Sequence, residues 1–216
     1  MNSPSEGAKV YFDSVPDQWD ALYSHENRLR YAFNRIMRKG LFQRYELTFE
    51  KCGHIPGSTV LEMGCGTGRY SIEFAKRGAA RVVGVDFAPS MIEFSRVMAK
   101  NMGVENVCSF RQGDVRTLAF HEPFDIVLAI GLFDYIADAE SVINIAARLT
   151  SRVFICTFPT YSAFRGFHRK IRYNWIRRCP IYYYTSHQIQ RMVRPYFHTA
   201  DIIPMSGGLF VSAHKN

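Results

Sequence analysis

Apolar residues Leu29, Phe33, Ile36, Met37, Leu41, Tyr45 and Phe49 recur at three- and four-residue spacing, which predicts a helix over Asn27–Cys52. A shorter helix, Asp17–Tyr23, precedes it, and Gly53 with Pro56-Gly57 ends it. Thr59–Met63 then reads as a buried strand. From there the pattern alternates: helix Tyr70–Arg77, strand Arg81–Val85, helix Pro89–Asn101, strand Asn106–Gln112, strand Phe124–Ala129, helix Glu140–Leu149 and strand Arg152–Thr157. Such alternation predicts a parallel sheet covered on both faces and built from right-handed crossovers. Ligands of such sheets bind beyond the carboxyl ends of the strands.

After Phe158 the alternation stops. An aromatic and basic stretch, Thr160–Tyr184, is punctuated by Pro159 and Pro180. A short helix, Ser186–Val193, leads into two alternating stretches, Phe197–Pro204 and Leu209–His214, and the intervening Ser206-Gly207-Gly208 predicts an antiparallel hairpin at the sheet. The expected fold is α/β: a Rossmann-like, doubly wound sheet of seven mostly parallel strands with an antiparallel last strand, N-terminal helices and an insertion after strand five. With 216 residues, 47% of them hydrophobic, the chain can bury one substantial core. A single domain is expected, with residues 1–57 as a helical cover, 58–157 as the core, 158–184 as a substrate cover, and 185–216 as the final helix and hairpin.

Composition narrows the function classes. No stretch approaches the roughly 18 to 20 apolar residues of a membrane span, and the polar start Met1–Lys9 lacks the apolar centre of a signal peptide, so a cytoplasmic location is expected. Five cysteines with no C-x-x-C pair fit reduced thiols better than a disulfide framework or a zinc site, and no metal is expected. The net charge of +8 is uneven: from Arg152 onward there are ten basic side chains against one acid, Asp201, whereas the preceding part carries 17 basic and 18 acidic residues. A concentrated positive field points to an anionic substrate, an anionic membrane surface or nucleic acid, with a solvated helix face as the plain alternative.

The chemistry centres on Glu62-Met63-Gly64-Cys65-Gly66-Thr67-Gly68, where glycines directly follow a strand and precede a helix. Without side chains the backbone can turn tightly there and lie against a ligand. A dinucleotide-binding loop, G-x-G-x-x-G, would need a small residue where this chain has Arg69. Cys65 reads as a small packing residue rather than a nucleophile. Strand two ends in Val85-Asp86, where a carboxylate can accept hydrogen bonds from both ribose hydroxyls. Strand three is followed by Gly113-Asp114-Val115, a second acid able to accept a hydrogen bond from an adenine amino group.

As a set, the E-x-G-x-G-x-G loop, the acid ending strand two and the acid after strand three resemble the class I S-adenosylmethionine-dependent methyltransferases, over about Thr59–Thr157. The resemblance implies S-adenosyl-L-methionine as cofactor. Gly64, Cys65, Gly66 and Gly68 would then line its methionine and ribose part. Glu62 would reach its ammonium end through a water or backbone amide, and Asp86 would hold the ribose diol. Phe87 and Met91 would flank adenine, with Asp114 and Val115 at its edge. Ile130 and Gly131, after strand four, would expose backbone to the methionyl group. A strand-end cap for Glu62 and a helix-core role for Met91 are the plain alternatives.

A looser resemblance covers the ends of the chain. Tyr11-Phe12-Asp13-Ser14, Trp19, Tyr23 and Arg38-Lys39-Gly40 are similar to the start of magnesium-protoporphyrin O-methyltransferases and related small-molecule enzymes. This implies Tyr11 at the cofactor and Tyr23 at the reacting groups. Where those porphyrin enzymes carry a histidine after strand four, this chain has Asp134, in Gly131-Leu132-Phe133-Asp134-Tyr135, which argues against a porphyrin carboxylate as acceptor. An N- or O-methyltransferase is expected, with Asp134 as base or anchor and Tyr23 or Tyr135 shaping the pocket. Capping of a helix ahead of Asp138 is the plain alternative for Asp134.

The basic and aromatic side chains of 160–184 would clasp an anionic or aromatic small molecule, or rest on an anionic membrane. A nucleic-acid methyltransferase is the first rival and has only the basic tail in its favour. A non-catalytic, cofactor-binding member of the fold is the second.

Overall fold

The computed structural model describes residues 39–160 and 181–216. In chain order these form α1 (Lys39–Lys51), β1 (Thr59–Met63), α2 (Arg69–Lys76), β2 (Arg81–Asp86), α3 (Pro89–Asn101), β3 (Cys108–Gln112), β4 (Phe124–Ala129), α4 (Ala139–Leu149), β5 (Thr150–Pro159), α5 (Ser186–Val193), β6 (Thr199–Met205) and β7 (Gly208–His214). The expected helix Asp17–Tyr23 and the first part of Asn27–Cys52 lie outside the described residues.

Seven strands make one sheet in the order β3-β2-β1-β4-β5-β7-β6. Strand β7 runs antiparallel to both β5 and β6, and the remaining pairs are parallel, so the expected sheet is the observed one. Two boundaries differ for identifiable reasons. Strand β5 extends to Pro159 because β7 pairs with it from Val153 opposite His214 up to Pro159 opposite Gly208. Strand β3 begins at Cys108 rather than Asn106 because the Val107 and Cys108 N–H groups both return to the Val104 carbonyl, which holds that stretch in a turn.

Alternation along the strands divides the core in two. Leu61, Met63, Val85, Val127, Phe154 and Val211 face α4 and α5, which contribute Val142, Ile143, Ile189 and Val193. Val60, Val82, Ile126, Leu128, Ile155 and Phe210 face the side of Ile72, Phe74 and Ala75 from α2 and Ile92 and Ala99 from α3. Both faces are therefore dry, as a parallel sheet with helical crossovers requires. Local signals fix the helix starts: Pro89 opens α3, the Asp138 carboxylate accepts the Ser141 N–H at α4, and Thr185 with Gln188 forms a capping box at α5.

Helix α1 lies on the second face, against β5, β6 and β7. Its start meets the hairpin turn so closely that a Cβ on Gly40 would stand 2.1 Å from the Ser206 carbonyl oxygen. Gln43 secures the contact by accepting the Ser206 N–H at 2.8 Å. At the opposite end of the sheet, the Asp125 carboxylate accepts the Thr59 N–H and O–H at 2.8 and 3.0 Å, joining the first residues of β1 and β4. Among the described residues no helix is long and apolar enough to cross a membrane.

Candidate functional site

Strand order reverses at β1, which has β2 on one side and β4 on the other, and this switch point opens a crevice at the carboxyl ends of the strands. Strand β1 runs into the glycine loop, whose backbone is tied to the neighbouring strand. The Gly64 and Cys65 N–H groups both donate to the Val85 carbonyl, at 2.8 and 2.9 Å. The Gly66 N–H donates to Asp86 Oδ2 at 2.8 Å, while Oδ1 accepts the Ala88 N–H at 3.0 Å. Asp86, only 7% exposed, thus braces the loop and turns the chain into α3. At Gly66, with φ of +51°, a Cβ would meet nothing within 4 Å, so the loop presents bare backbone to open space.

Glu62 lies beneath this loop, 2% exposed. Its Oε2 accepts both the Ser71 N–H, at 2.9 Å, and the Ser71 hydroxyl, at 2.6 Å, so it engages the first turn of α2. Burial pushes the Glu62 carboxyl up to about 8, against the Ser71 hydrogen bonds; the neighbouring Asp86 raises it further and Arg44 lowers it. Burial likewise pushes the Cys65 thiol well above its ordinary range, with Asp86 and Glu62 adding to the shift. Cys65 is held as the neutral thiol and packs in the second core.

On the adenine side of the expected site, Asp114 follows β3 and is already engaged. Its Oδ1 accepts the Arg116 N–H at 2.9 Å, and the Arg116 guanidinium forks onto both carboxylate oxygens, with Nε at 2.9 and 3.0 Å. The Arg116 hydrogen bonds hold the Asp114 carboxyl below the usual carboxylate range. Val115 is buried in the first core, Met91 is buried on α3, and Phe87 is half-buried beside Asp86.

On the other side of the loop stands the exit of β4. Ile130 is buried in the second core. Gly131, at φ +74°, donates its N–H to Thr157 Oγ1 at 2.8 Å. A Cβ on Gly131 would stand 2.9 Å from Arg44 Nη1, and one on Gly64 would stand 3.0 Å from the Leu132 side chain. The β4 exit therefore packs on the glycine loop at Gly64, and Arg44 of α1 reaches the β4 exit at Gly131.

Asp134 sits in a turn closed by the Tyr135 N–H on the Leu132 carbonyl at 3.0 Å, and its own carbonyl accepts the Tyr182 N–H at 3.0 Å. The cap of α4 is Asp138, so the helix-capping alternative for Asp134 does not hold. Tyr184 completes this side. Its hydroxyl donates to the Ile136 carbonyl and its N–H to the Pro159 carbonyl. Its ring stands edge-on to Phe158, which stacks on Phe133 with centroids 4.4 Å apart. Burial pushes the Tyr184 phenol up to about 12, and Tyr182, Asp138 and Asp134 add to the shift.

The structure thus places Glu62, the glycines, Asp86, Asp114, Gly131 and Asp134 at or just beyond the carboxyl ends of β1 to β4, whereas Tyr11 and Tyr23 lie outside the described residues. Sequence reasoning missed Arg44, Thr157, Arg116 and Tyr184. Only Arg116 carried a local signal, a guanidinium two residues beyond an acid. The others reach the crevice through tertiary packing.

A model of the methyltransferase domain matches residues 54–190. Among curated relatives, the phosphatidylethanolamine N-methyltransferase of Cereibacter sphaeroides is 34% identical over 117 residues, 49% of this chain and 57% of that protein. The ubiquinone biosynthesis O-methyltransferase of Hahella chejuensis is 34% identical over 97 residues, 44% of this chain and 40% of that protein. The chain thus spans about half the length of the curated relatives it matches. Among solved structures, magnesium protoporphyrin IX methyltransferase from Synechocystis with bound SAH superposes with a TM-score of 0.72 at 20% identity, covering 97% of this chain and 98% of that one, a likeness of fold. Because the domain model spans more than half of the sequence, the chain belongs to the methyltransferase domain family.

Proposed function

We propose that this protein transfers a methyl group from S-adenosyl-L-methionine to a nitrogen or oxygen of a small molecule. The observation that carries the reading is the bare, positive-φ backbone at Gly66 braced by Asp86 at the switch point of the sheet. The donor set fits this cofactor: Asp86 for a ribose diol, the Asp114 and Val115 segment for the adenine edge, Glu62 beneath the loop, and the Arg44 guanidinium for a carboxylate. Phe87 and Met91 supply an apolar border for adenine, and Gly64, Cys65, Gly66, Gly68, Ile130 and Gly131 border the methionyl and ribose part. When bound, S-adenosylmethionine supplies an electrophilic methyl on a sulfonium.

The residues of the β4 exit do the remaining work. Asp134 accepts the proton that an amine or hydroxyl acceptor releases as it is methylated, or anchors an ammonium beside the donor. Tyr135, with Tyr23 from the leading segment, shapes the pocket and excludes water, so that alignment and desolvation supply much of the rate. Residues 158–184 form the acceptor cover of a single domain. The hydrogen bonds from Tyr182 to Asp134 and from Tyr184 to Pro159 support this reading, since they bring the end of that segment to the reacting side of the crevice. The relatives named for N- and for O-methyl transfer support either acceptor atom. The basic and aromatic sequence of 160–184 favours an anionic or aromatic acceptor, or an anionic membrane on which one is presented.

Calorimetric titration with S-adenosylmethionine and S-adenosylhomocysteine tests the cofactor. Binding abolished by Asp86→Ala is the expected result, and no binding to either compound sinks the reading. For the chemistry, Asp134→Asn should lower turnover by about two orders of magnitude, the usual yield of a positioned general base. Unchanged turnover and acceptor affinity would remove Asp134 from the mechanism.

A further inference from the structure

Strand β4 leaves the sheet through a turn held by a side chain of β5. Its parallel ladder with β5 ends at Ala129 opposite Cys156. Two residues on, the Gly131 N–H is taken by a side chain, the Thr157 hydroxyl, at 2.8 Å. Thr157 is 2% exposed and Gly131 half-buried, so a buried hydroxyl is the acceptor that holds this N–H. Gly131 adopts φ +74°, a conformation that costs other residues, and its missing side chain leaves room for Arg44 Nη1 at 2.9 Å from where a Cβ would stand. Thr157 lies on the same face of β5 as Val153 and Ile155, the face covered by α1, which carries Arg44. A hydroxyl on β5, a turn after β4 and a guanidinium from α1 therefore meet at the rim of the glycine loop, on the side away from Asp114.

We propose that Thr157 is a positioning residue for the amino-acid end of the cofactor: its hydroxyl fixes the Gly131 turn, and that turn seats the Arg44 guanidinium at the glycine loop. The proposal rests on the cofactor reading above. Thr157 touches no ligand and acts through Gly131 and Arg44. Removing the hydroxyl takes away the acceptor of a half-buried N–H, which frees the turn to rearrange and displaces the guanidinium.

The test is calorimetric and needs no acceptor. Affinities for S-adenosylhomocysteine and for 5′-methylthioadenosine, which lacks the amino-acid portion, are measured for the wild type, Thr157→Val, Thr157→Ser and Arg44→Ala. Thr157→Val should weaken S-adenosylhomocysteine about tenfold and leave 5′-methylthioadenosine within about twofold, and Thr157→Ser should restore the affinity. The Thr157→Val and Arg44→Ala losses should be strongly non-additive in the double variant, since both remove one seat. Gly131→Ala, which puts a Cβ against Arg44, provides an independent route to the same selective loss if Thr157→Val folds poorly. Equal losses for the two ligands, or an unchanged S-adenosylhomocysteine affinity in Thr157→Val, would overturn the proposal. A wild type that binds neither ligand overturns the cofactor reading itself, which separates the two failures.

Discussion

Glu62 shows how a residue recognised by its spacing can have a different environment from the one its spacing suggests. The acid two positions ahead of the glycines is legible in sequence, but its burial and its two hydrogen bonds from Ser71 are not, because Ser71 turns back onto it only once α2 packs on β1. The consequence is a pH dependence. Glu62 in the folded chain keeps its proton up to about 8, whereas its ordinary value is 4.5. The stabilisation from holding that proton is complete below the ordinary value, is lost as the pH rises between the two, and changes no further above about 8. Its size is on the order of a few kcal/mol. Glu62→Gln keeps an oxygen for Ser71 and removes the titration. The difference in unfolding free energy between variant and wild type should therefore shift in favour of Gln as the pH rises from 5 to 8 in denaturant titrations. A constant difference would mean that Glu62 is ionised throughout. Asp114 teaches a related lesson: the acid was legible, and a guanidinium two residues beyond it was the local signal for the fork that the structure shows.

Among the elements, the alternating segments were legible because each strand and helix carries its own period, and β7 was legible as a hairpin partner because its turn is marked by glycine. Helix α1 was legible only as a helix. Its docking depends on contacts such as Gln43 with Ser206, which are 163 positions apart, and no local pattern records them. Because Arg44 rides on that docking, its arrival at Gly131 was equally hidden. Gly40 offers a direct test of how tightly α1 is held. Alanine is better than glycine inside a helix by about 1 kcal/mol, so propensity alone forecasts stabilisation by Gly40→Ala. The new Cβ would stand 2.1 Å from the Ser206 carbonyl oxygen, a backbone atom within the β6–β7 hairpin that cannot step aside without moving the turn. The clash should win: thermal unfolding is expected at a lower temperature in Gly40→Ala, with weaker S-adenosylhomocysteine binding as Arg44 is drawn back. A higher melting temperature would show that α1 is loosely seated and that propensity decides.

At the scale of the whole molecule, the sheet divides the labour at β1. Strands β2 and β3 and the loops after them hold Asp86 and Asp114, the acids expected at the ribose and adenine, while β4, β5 and residues 181–184 hold Asp134 and its supports. The two halves share β1, the glycine loop and both cores, but their polar groups are held by separate hydrogen bonds, so damage to the polar groups of one should be separable from damage to those of the other. Tyr184 suits the test because it belongs wholly to the second half. Its hydroxyl donates to the Ile136 carbonyl in the β4 exit, and its ring stands edge-on to Phe158, which stacks on Phe133. Tyr184→Phe keeps the ring and removes the donor, leaving a half-buried carbonyl short of one hydrogen bond, a change of about 1 kcal/mol that loosens the turn carrying Asp134. Once an acceptor is in hand, kcat/KM for it should fall about fivefold, while the Kd for S-adenosylhomocysteine stays within about twofold of wild type. If the cofactor affinity fell in parallel, the β4 exit and the glycine loop would be one mechanical unit, and the division at β1 would be one of topology only.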